Sequence, residues 1–142
     1  RPFARTYAHT GMIGYHGGKM SKSIGNLVLA SALRADGASP ADVRLALLAD
    51  HYRADREWTA DVLAAASERR GRWAEAARVP TGPDASELVE TVRAALADDL
   101  DTPTALAAVD RWAEAARTRG GADPTAGGTV RTMVDALLGV AL

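Results

Sequence analysis

Alanine occurs 31 times in this chain of 142 residues, and glycine and proline fall mostly between the alanine-bearing stretches. Alanine loses no side-chain entropy in a helix and is the strongest helix former. Glycine and proline mark turns and helix ends. A chain punctuated in this way is constrained to be mainly helical. Ser39-Pro40 reads as a cap followed by the first helical position, where proline's missing N–H costs nothing. Asp42, three residues beyond Ser39, is placed to bond back or to favour the helix dipole. This helix is expected to run to about Asp50 and to bury some of Val43, Leu45, Leu47 and Leu48. Thr59 caps the next one, with Trp58 and Leu63 set for a hydrophobic staple. Its apolar stripe is Val62, Leu63, Ala66, Trp73 and Ala77, which Arg70 interrupts and would have to snorkel past. After a break at residues 80–83, a third helix covers about 85–97, with Leu88, Val89, Val92, Ala95 and Leu96 on one face. Thr102-Pro103 repeats the cap-then-proline pattern and opens a helix that buries Leu106, Val109, Trp112, Ala113 and Ala116. Gly120-Gly121 ends it. The last helix starts near residue 126 and shows Val130, Met133, Val134, Leu137 and Leu138. Short links favour antiparallel neighbours, so residues 37–142 read as a helical bundle.

Residues 1–36 differ in character. The chain opens with Arg1-Pro2-Phe3 and no initiator methionine, as expected for the C-terminal piece of a longer protein. Residues 3–10 are expected to finish a helix begun upstream, released at Gly11. Met12 to Tyr15 is apolar with a β-branched residue and predicts a short strand. His16-Gly17-Gly18 is a turn signal. The loop Lys19-Met20-Ser21-Lys22-Ser23 follows and is closed by Gly25-Asn26. An extended run at Leu27 to Leu29 and a short helix from Ser31 to Asp36 complete the segment.

The loop is the candidate chemical site. When a nucleophile attacks the α-phosphate of ATP, negative charge grows on the departing pyrophosphate. Ammonium groups on a mobile loop meet that charge as it develops, lowering the barrier more than they tighten ground-state binding. Lys19 and Lys22 supply two such groups. Serine hydroxyls and backbone N–H groups add donors, and flanking glycines permit close approach and hinge motion. The spacing is not that of a Walker loop.

Other features argue mainly by exclusion. The formal net charge is -1 with pI ≈ 6.3, so no basic excess advertises nucleic acid. The absence of cysteine removes disulfides, thiolate ligands and a cysteine nucleophile from this segment. No signal peptide and no bilayer-length apolar run is found, so the expected setting is soluble and cytoplasmic, away from membranes. His9 and His16 stand seven apart across a glycine break with no third ligand, and no metal site is expected here. His9 is read as structural, and His16 and His51 as loop or surface residues. Asp98, Asp99 and Asp101 flank a helix start, where carboxylates stabilise exposed N–H groups. Arg69, Arg70 and Arg72 read as a solvated helix face. Trp58, Trp73 and Trp112 read as core.

The ordered string KMSKS, followed by Ile24-Gly25-Asn26, resembles the signature of the class I aminoacyl-tRNA synthetases. His9-Thr10-Gly11-Met12-Ile13, Leu45-Ala46-Leu47-Leu48 and His51-Tyr52-Arg53 resemble the cysteinyl-tRNA synthetase pattern. Asp98 to Leu106, DDLDTPTAL, is similar to the DDxxTP segment of that family's helical domain. The resemblance implies a C-terminal edge of a Rossmann-like α/β catalytic domain in residues 1–36. It further implies a stem-like helical domain in residues 37–142. The sequence ends at TMVDALLGVAL, and the further anticodon-binding module of a tRNA synthetase is not expected. In that respect it is similar to the truncated branch of the family, the cysteine ligases of mycothiol biosynthesis.

That branch implies activation of L-cysteine by ATP, with Mg2+, to cysteinyl-adenylate. The amine of glucosaminyl-inositol then attacks, forming an amide and releasing AMP, with no tRNA involved. By resemblance, Lys22 is the main ammonium at the leaving pyrophosphate and Lys19 its helper. Met20 anchors the loop near the adenine side, Ser21 and Ser23 complete the ATP-binding signature, and the backbone of Ile13 contacts the adenylate. The family's Zn2+, which grips the substrate thiolate, and its HIGH-like motif belong to residues upstream of this segment. The segment alone is therefore expected to be catalytically incomplete and to need the N-terminal part of the same polypeptide. A cysteinyl-tRNA synthetase fragment and a noncatalytic helical interaction domain are the alternative readings.

Overall fold

The computed structural model describes residues 3–142; Arg1 and Pro2, which open the chain, lie outside the described residues. Strand β1 (Ile13–Tyr15) turns at His16-Gly17 into β2 (Gly18–Lys19). His16 and Gly17 have φ of 55° and 73°, the paired positive values of a tight hairpin turn whose twist suits antiparallel strands. A third strand, β3 (Arg56–Glu57), lies parallel to β1 with Ile13 opposite Arg56 and Gly14 opposite Glu57. The sheet order is β2-β1-β3. Between β1 and β3 come α1 (Ala30–Ala35) and α2 (Pro40–Leu48), the crossover that a parallel pair requires.

The bundle continues with α3 (Ala60–Ala76), α4 (Ser86–Ala97), α5 (Thr102–Thr118) and α6 (Ala126–Met133). A π-helical turn, Val134–Leu138, extends α6 until Gly139 ends it in the left-handed region at φ 65°. Among the described residues the chain is mostly helical with one small mixed sheet, the edge of a Rossmann-like layer followed by a helical bundle. Helix α5 is the hub. It packs against α4 and α3, and it buries Leu106, Val109, Trp112, Ala113 and Ala116. Trp73, Leu45, Val92, Val130, Val134 and Leu138 complete the fully enclosed centre.

The expected caps at Ser39 and Thr59 are formed: Ser39 Oγ accepts from Ala41 N–H at 3.3 Å and Thr59 Oγ1 from Val62 N–H at 3.2 Å. Three expectations need correction. Residues 3–10 carry no helix, and Phe3 and Tyr7 stand exposed. An eight-residue stretch with no packed face does not meet the cost of helix nucleation. The cap of α5 is Asp101, not Thr102. Asp101 Oδ1 accepts from Thr104 N–H at 3.1 Å, while Thr102 turns inward and its hydroxyl reaches the Asp50 carbonyl at 3.4 Å. The Thr104 hydroxyl and then its amide hold the Asp101 carboxyl below the ordinary aspartate range. That capping contribution is present above the unfolded-chain pKa and fades as pH falls through the depressed folded value.

Of its two expected roles, Asp42 takes the second, an acid in the first turn of α2, and does not bond back to its cap. It is 6% exposed and pairs with the Arg70 guanidinium. This hydrogen bond, opposed by partial burial, raises the Arg70 pKa. Arg69 is likewise paired, with Asp110 at 3.2 Å, and only Arg72 keeps the solvated role expected for the arginine run. Removing the Arg70 charge leaves Asp42 buried alone. Arg70→Met, which keeps the aliphatic stem, is expected to destabilise by about 2 kcal/mol, below the value for fully buried pairs because Arg70 is partly open to water. Urea unfolding would measure it; a midpoint equal to that of the parent would show that the pair contributes nothing.

Two interhelical connectors cross behind Trp112. Gly82 and Asp123 exchange backbone hydrogen bonds at 2.9 and 3.0 Å, and Trp112 Nε1 donates to the Pro83 carbonyl at 3.0 Å. Gly121 lies so close to the backbone of Gly82 and Pro83 that a Cβ has no room.

Candidate active site

The lysine loop is built on the β1–β2 hairpin. Lys19 is the last residue of β2, and the turn at residues 22–25 folds the chain back. Asn26 closes the loop from both sides: its Oδ1 accepts the Ser21 N–H at 2.8 Å and its Nδ2 donates to the Lys19 carbonyl at 3.2 Å. Ser21 Oγ accepts from Ile24 N–H at 3.2 Å and stands 3.1 Å from Ser23 Oγ. Gly25 donates to the Ser21 carbonyl at 3.1 Å and occupies the left-handed region at φ 75°, which glycine enters freely. Met20 is half-buried against the core, tying the loop down by packing.

Lys19 and Lys22 are exposed, and among the described residues no ion pair engages either ammonium. They are positioned as free cations on a braced loop. A recess of about 550 Å3 brings Ile13 and Lys19 together under the hairpin, with Asp55 and Glu57 on its β3 wall. Met20, Ser21, Lys22 and Ser23 do not line it. Ile13 is the first residue of β1. Met12 and Gly14 give their carbonyls to β3, so the backbone groups of Ile13 face the opposite edge, beside the loop. A backbone contact to a nucleotide from this position needs no particular side chain.

Sequence reasoning missed the β3 wall. Asp55 Oδ1 accepts from Met12 N–H at 2.6 Å, and Glu57 Oε2 lies 3.4 Å from Gly17 N. The Glu57 carboxylate also occupies the space that a Cβ on Gly14 would fill. Both acids contact the backbone of the hairpin. Asn26 was read only as a loop closer, and the geometry makes it the clamp. Asn26→Ala removes both side-chain bonds from a half-buried position. In the ATP-dependent reading proposed below, adenylate formation by the full-length polypeptide is expected to fall about tenfold through loss of loop positioning, with thermal unfolding unchanged. An unaltered rate of ATP–pyrophosphate exchange would exclude the clamp role.

Among the described residues no three of His, Asp and Glu gather as metal ligands, and the sequence holds no cysteine. The residues present therefore do not fit the thiolate-binding Zn2+ of the family, and no step is assigned to it here. A larger groove of about 680 Å3 between α4 and α6 contains none of the loop residues. Its walls include Val89, Met133 and Leu137.

This sheet edge, the loop it carries and the first helices of the bundle lie within the part of the chain that matches a known family model. Residues 1–68 match the family described as tRNA synthetases class I (C) catalytic domain. Over nearly its whole length the chain is similar, at 60–62% identity, to proteins named L-cysteine:1D-myo-inositol 2-amino-2-deoxy-alpha-D-glucopyranoside ligase. It is 62% identical over 141 residues to the ligase of that name from Streptomyces scabiei, covering 99% of this chain and 34% of that protein. To the Gordonia bronchialis ligase it is 60% identical over 142 residues, covering 100% of this chain and 34% of the relative. The Mycolicibacterium vanbaalenii ligase is also 60% identical over 142 residues, with 33% of its length covered. The chain thus spans about a third of the length of the curated relatives it matches.

Proposed function

We propose that the chain supplies the phosphate-handling loop of an ATP-dependent cysteine ligase in mycothiol biosynthesis. In this reading the Mg2+ complex of ATP and L-cysteine give cysteinyl-adenylate and pyrophosphate, and the amine of glucosaminyl-inositol then displaces AMP. Identity of 60–62% over essentially every residue of the chain to ligases of that name is the observation that carries the reading. The geometry supports it at the level of residues. Lys22 and Lys19 are the ammonium groups assigned to the departing pyrophosphate. Met20 and Asn26 hold them on a defined loop, and the Ile13 backbone is assigned to the nucleotide. Ser21 and Ser23, now engaged with the loop itself, are its further polar groups. The role of the loop is electrostatic: charge that develops only in the transition state meets cations already in place.

The chain holds half of a site. Selection of cysteine, the zinc expected to grip its thiolate, and the HIGH-like motif are assigned to the N-terminal part of the same polypeptide. Residues 1–36 are assigned to the catalytic domain and residues 37–142 to the helical domain, with β3 returning to the sheet of the former and the family match running on to residue 68. A cytoplasmic location goes with an ATP-dependent reaction. Among the described residues no helix is long and apolar enough to cross a membrane.

The second reading, a cysteinyl-tRNA synthetase, is favoured by one observation, the family description matched by residues 1–68. The full-length polypeptide should catalyse cysteine-dependent ATP–pyrophosphate exchange. Glucosaminyl-inositol, rather than tRNA, should then consume the adenylate. Exchange discharged only by tRNA would transfer the protein to the second reading, and no exchange at all would remove both. The 142-residue chain by itself should form no amide; robust synthesis by it would overturn the division of the site.

A further inference from the structure

Asp99 and Leu100, successive non-glycine residues between α4 and α5, have φ of 54° and 58°. Left-handed conformations of this kind persist where the surroundings over-determine them. Here the surroundings come from the connector that follows α2. Tyr52 Oη donates to Asp99 Oδ1 at 2.8 Å, and Arg53 Nη2 donates to the same oxygen at 3.0 Å. Arg53 Nε donates to Tyr52 Oη at 2.8 Å. His51 Nε2 lies 3.0 Å from the Asp99 carbonyl, and its Nδ1 accepts the Arg53 N–H at 3.3 Å, which fixes the proton on Nε2. The hydrogen bond to Tyr52, followed by the charge of Asp99, raises the Arg53 pKa.

The same connector grips β1 on its other side. The Tyr52 carbonyl accepts the Gly11 N–H at 2.8 Å, the Met12 carbonyl accepts the Arg56 N–H at 2.9 Å, and the Gly14 carbonyl accepts the Trp58 N–H at 2.8 Å. Gly11 approaches the backbone of Arg53 and Ala54 so closely that no Cβ fits between them. One short span of chain therefore holds the helical bundle at its start and the strand bearing the lysine loop along the rest of its length.

We infer that Asp99 is a positioning residue for the lysine loop: it fixes the connector of residues 51–58, and the connector fixes the register and height of β1. The polar contacts involved are specific and discrete, so the coupling passes through identified bonds and not through proximity alone. Asp99 touches no substrate in this account. Its effect is exerted through Tyr52 and Arg53, then β3 and β1, then the hairpin that ends in Lys19. The kinetic consequence rests on the ligase reading above; the structural consequence does not.

Two substitutions separate the carboxylate from backbone strain. Asp99→Gly removes the side chain while glycine adopts this φ without steric cost. Asp99→Asn keeps an acceptor oxygen, and asparagine tolerates the left-handed region. Both keep the carbonyl that His51 meets. The measurements are amide hydrogen exchange and cysteine-dependent ATP–pyrophosphate exchange on the full-length polypeptide. For Asp99→Gly, exchange at the Gly11, Arg56 and Trp58 amides should quicken about tenfold. The kcat should fall about tenfold with KM for ATP unchanged, and α5 should keep its protection. Asp99→Asn should restore both readouts to near the parent values. The inference is overturned by unchanged Gly11, Arg56 and Trp58 amides in Asp99→Gly, by loss of protection throughout α5 alongside β1, or by an Asn variant as impaired as the Gly variant. Should the parent show no ATP–pyrophosphate exchange, the ligase reading fails and the amide readout alone decides for or against Asp99.

Discussion

Lys22→Ala in the full-length polypeptide is expected to slow cysteine-dependent ATP–pyrophosphate exchange by roughly two to three powers of ten, the loss that follows removal of one preorganised group facing transition-state charge. The fall should appear in kcat and in kcat/KM alike, because the ammonium is assigned to charge that exists only as pyrophosphate departs. The thermal midpoint should not move. Lys22 is exposed on the loop and, among the described residues, forms no ion pair whose loss would be felt. Lys19→Ala should show a smaller defect of the same kind. An exchange rate within about twofold of the parent for Lys22→Ala would leave the loop without its assigned task.

Trp73→Ala should have the largest effect on stability. Its side chain is fully enclosed between α3 and α5, and Nε1 donates to Asp110 Oδ1 at 2.8 Å. Truncation of a buried tryptophan leaves a cavity that the bundle closes only in part, at a cost of about 3–5 kcal/mol. That is a large share of the total stability of an ordinary domain. Trp73→Phe is the informative companion. It keeps most of the ring and loses the N–H, while Asp110 remains held by Arg69 at 3.2 Å. Its cost should be only about 1 kcal/mol for the lost hydrogen bond. Urea titrations of the two variants would rank them; near-equal midpoints would mean that Trp73 matters for its polar contact and not for its volume.

The bundle was largely legible in the sequence because its signals are local. Ser39-Pro40 and Thr59 announce helix starts within four residues, and the stripe from Val62 to Ala77 repeats at helical spacing. The three tryptophans serve the core as their apolar neighbours imply; Trp58, Trp73 and Trp112 are all nearly or fully buried. β3 was not legible. It is two charged residues long, with no alternation of apolar and polar positions, and it exists because β1 offers it a ladder. The pairing of Asp42 with Arg70 was hidden for the same reason. Each residue has a sufficient local explanation, as first-turn acid and as snorkelling base, and only packing of α2 on α3 brings them together. At the loop, the residue types and their order carried the chemistry, while the two-sided bond of Asn26 depends on the loop's three-dimensional return. Asp99 was read as one of several acids near a helix start; the neighbouring string His51-Tyr52-Arg53 was the available signal, and its target lies 46 to 48 residues away.

Where the connectors at Gly82 and Gly121 touch, the chain has no freedom of length. The paired hydrogen bonds of Gly82 with Asp123 fix both links in register, and a side chain on Gly121 would have to enter backbone. Added residues at either link would unseat the other, although loops on a protein surface ordinarily accept them at little entropic cost. Gly120, beside this crossing, faces open space. The two links therefore behave as one unit, and a length polymorphism or an inserted tag should be tolerated only where it leaves Gly82 and Gly121 in contact.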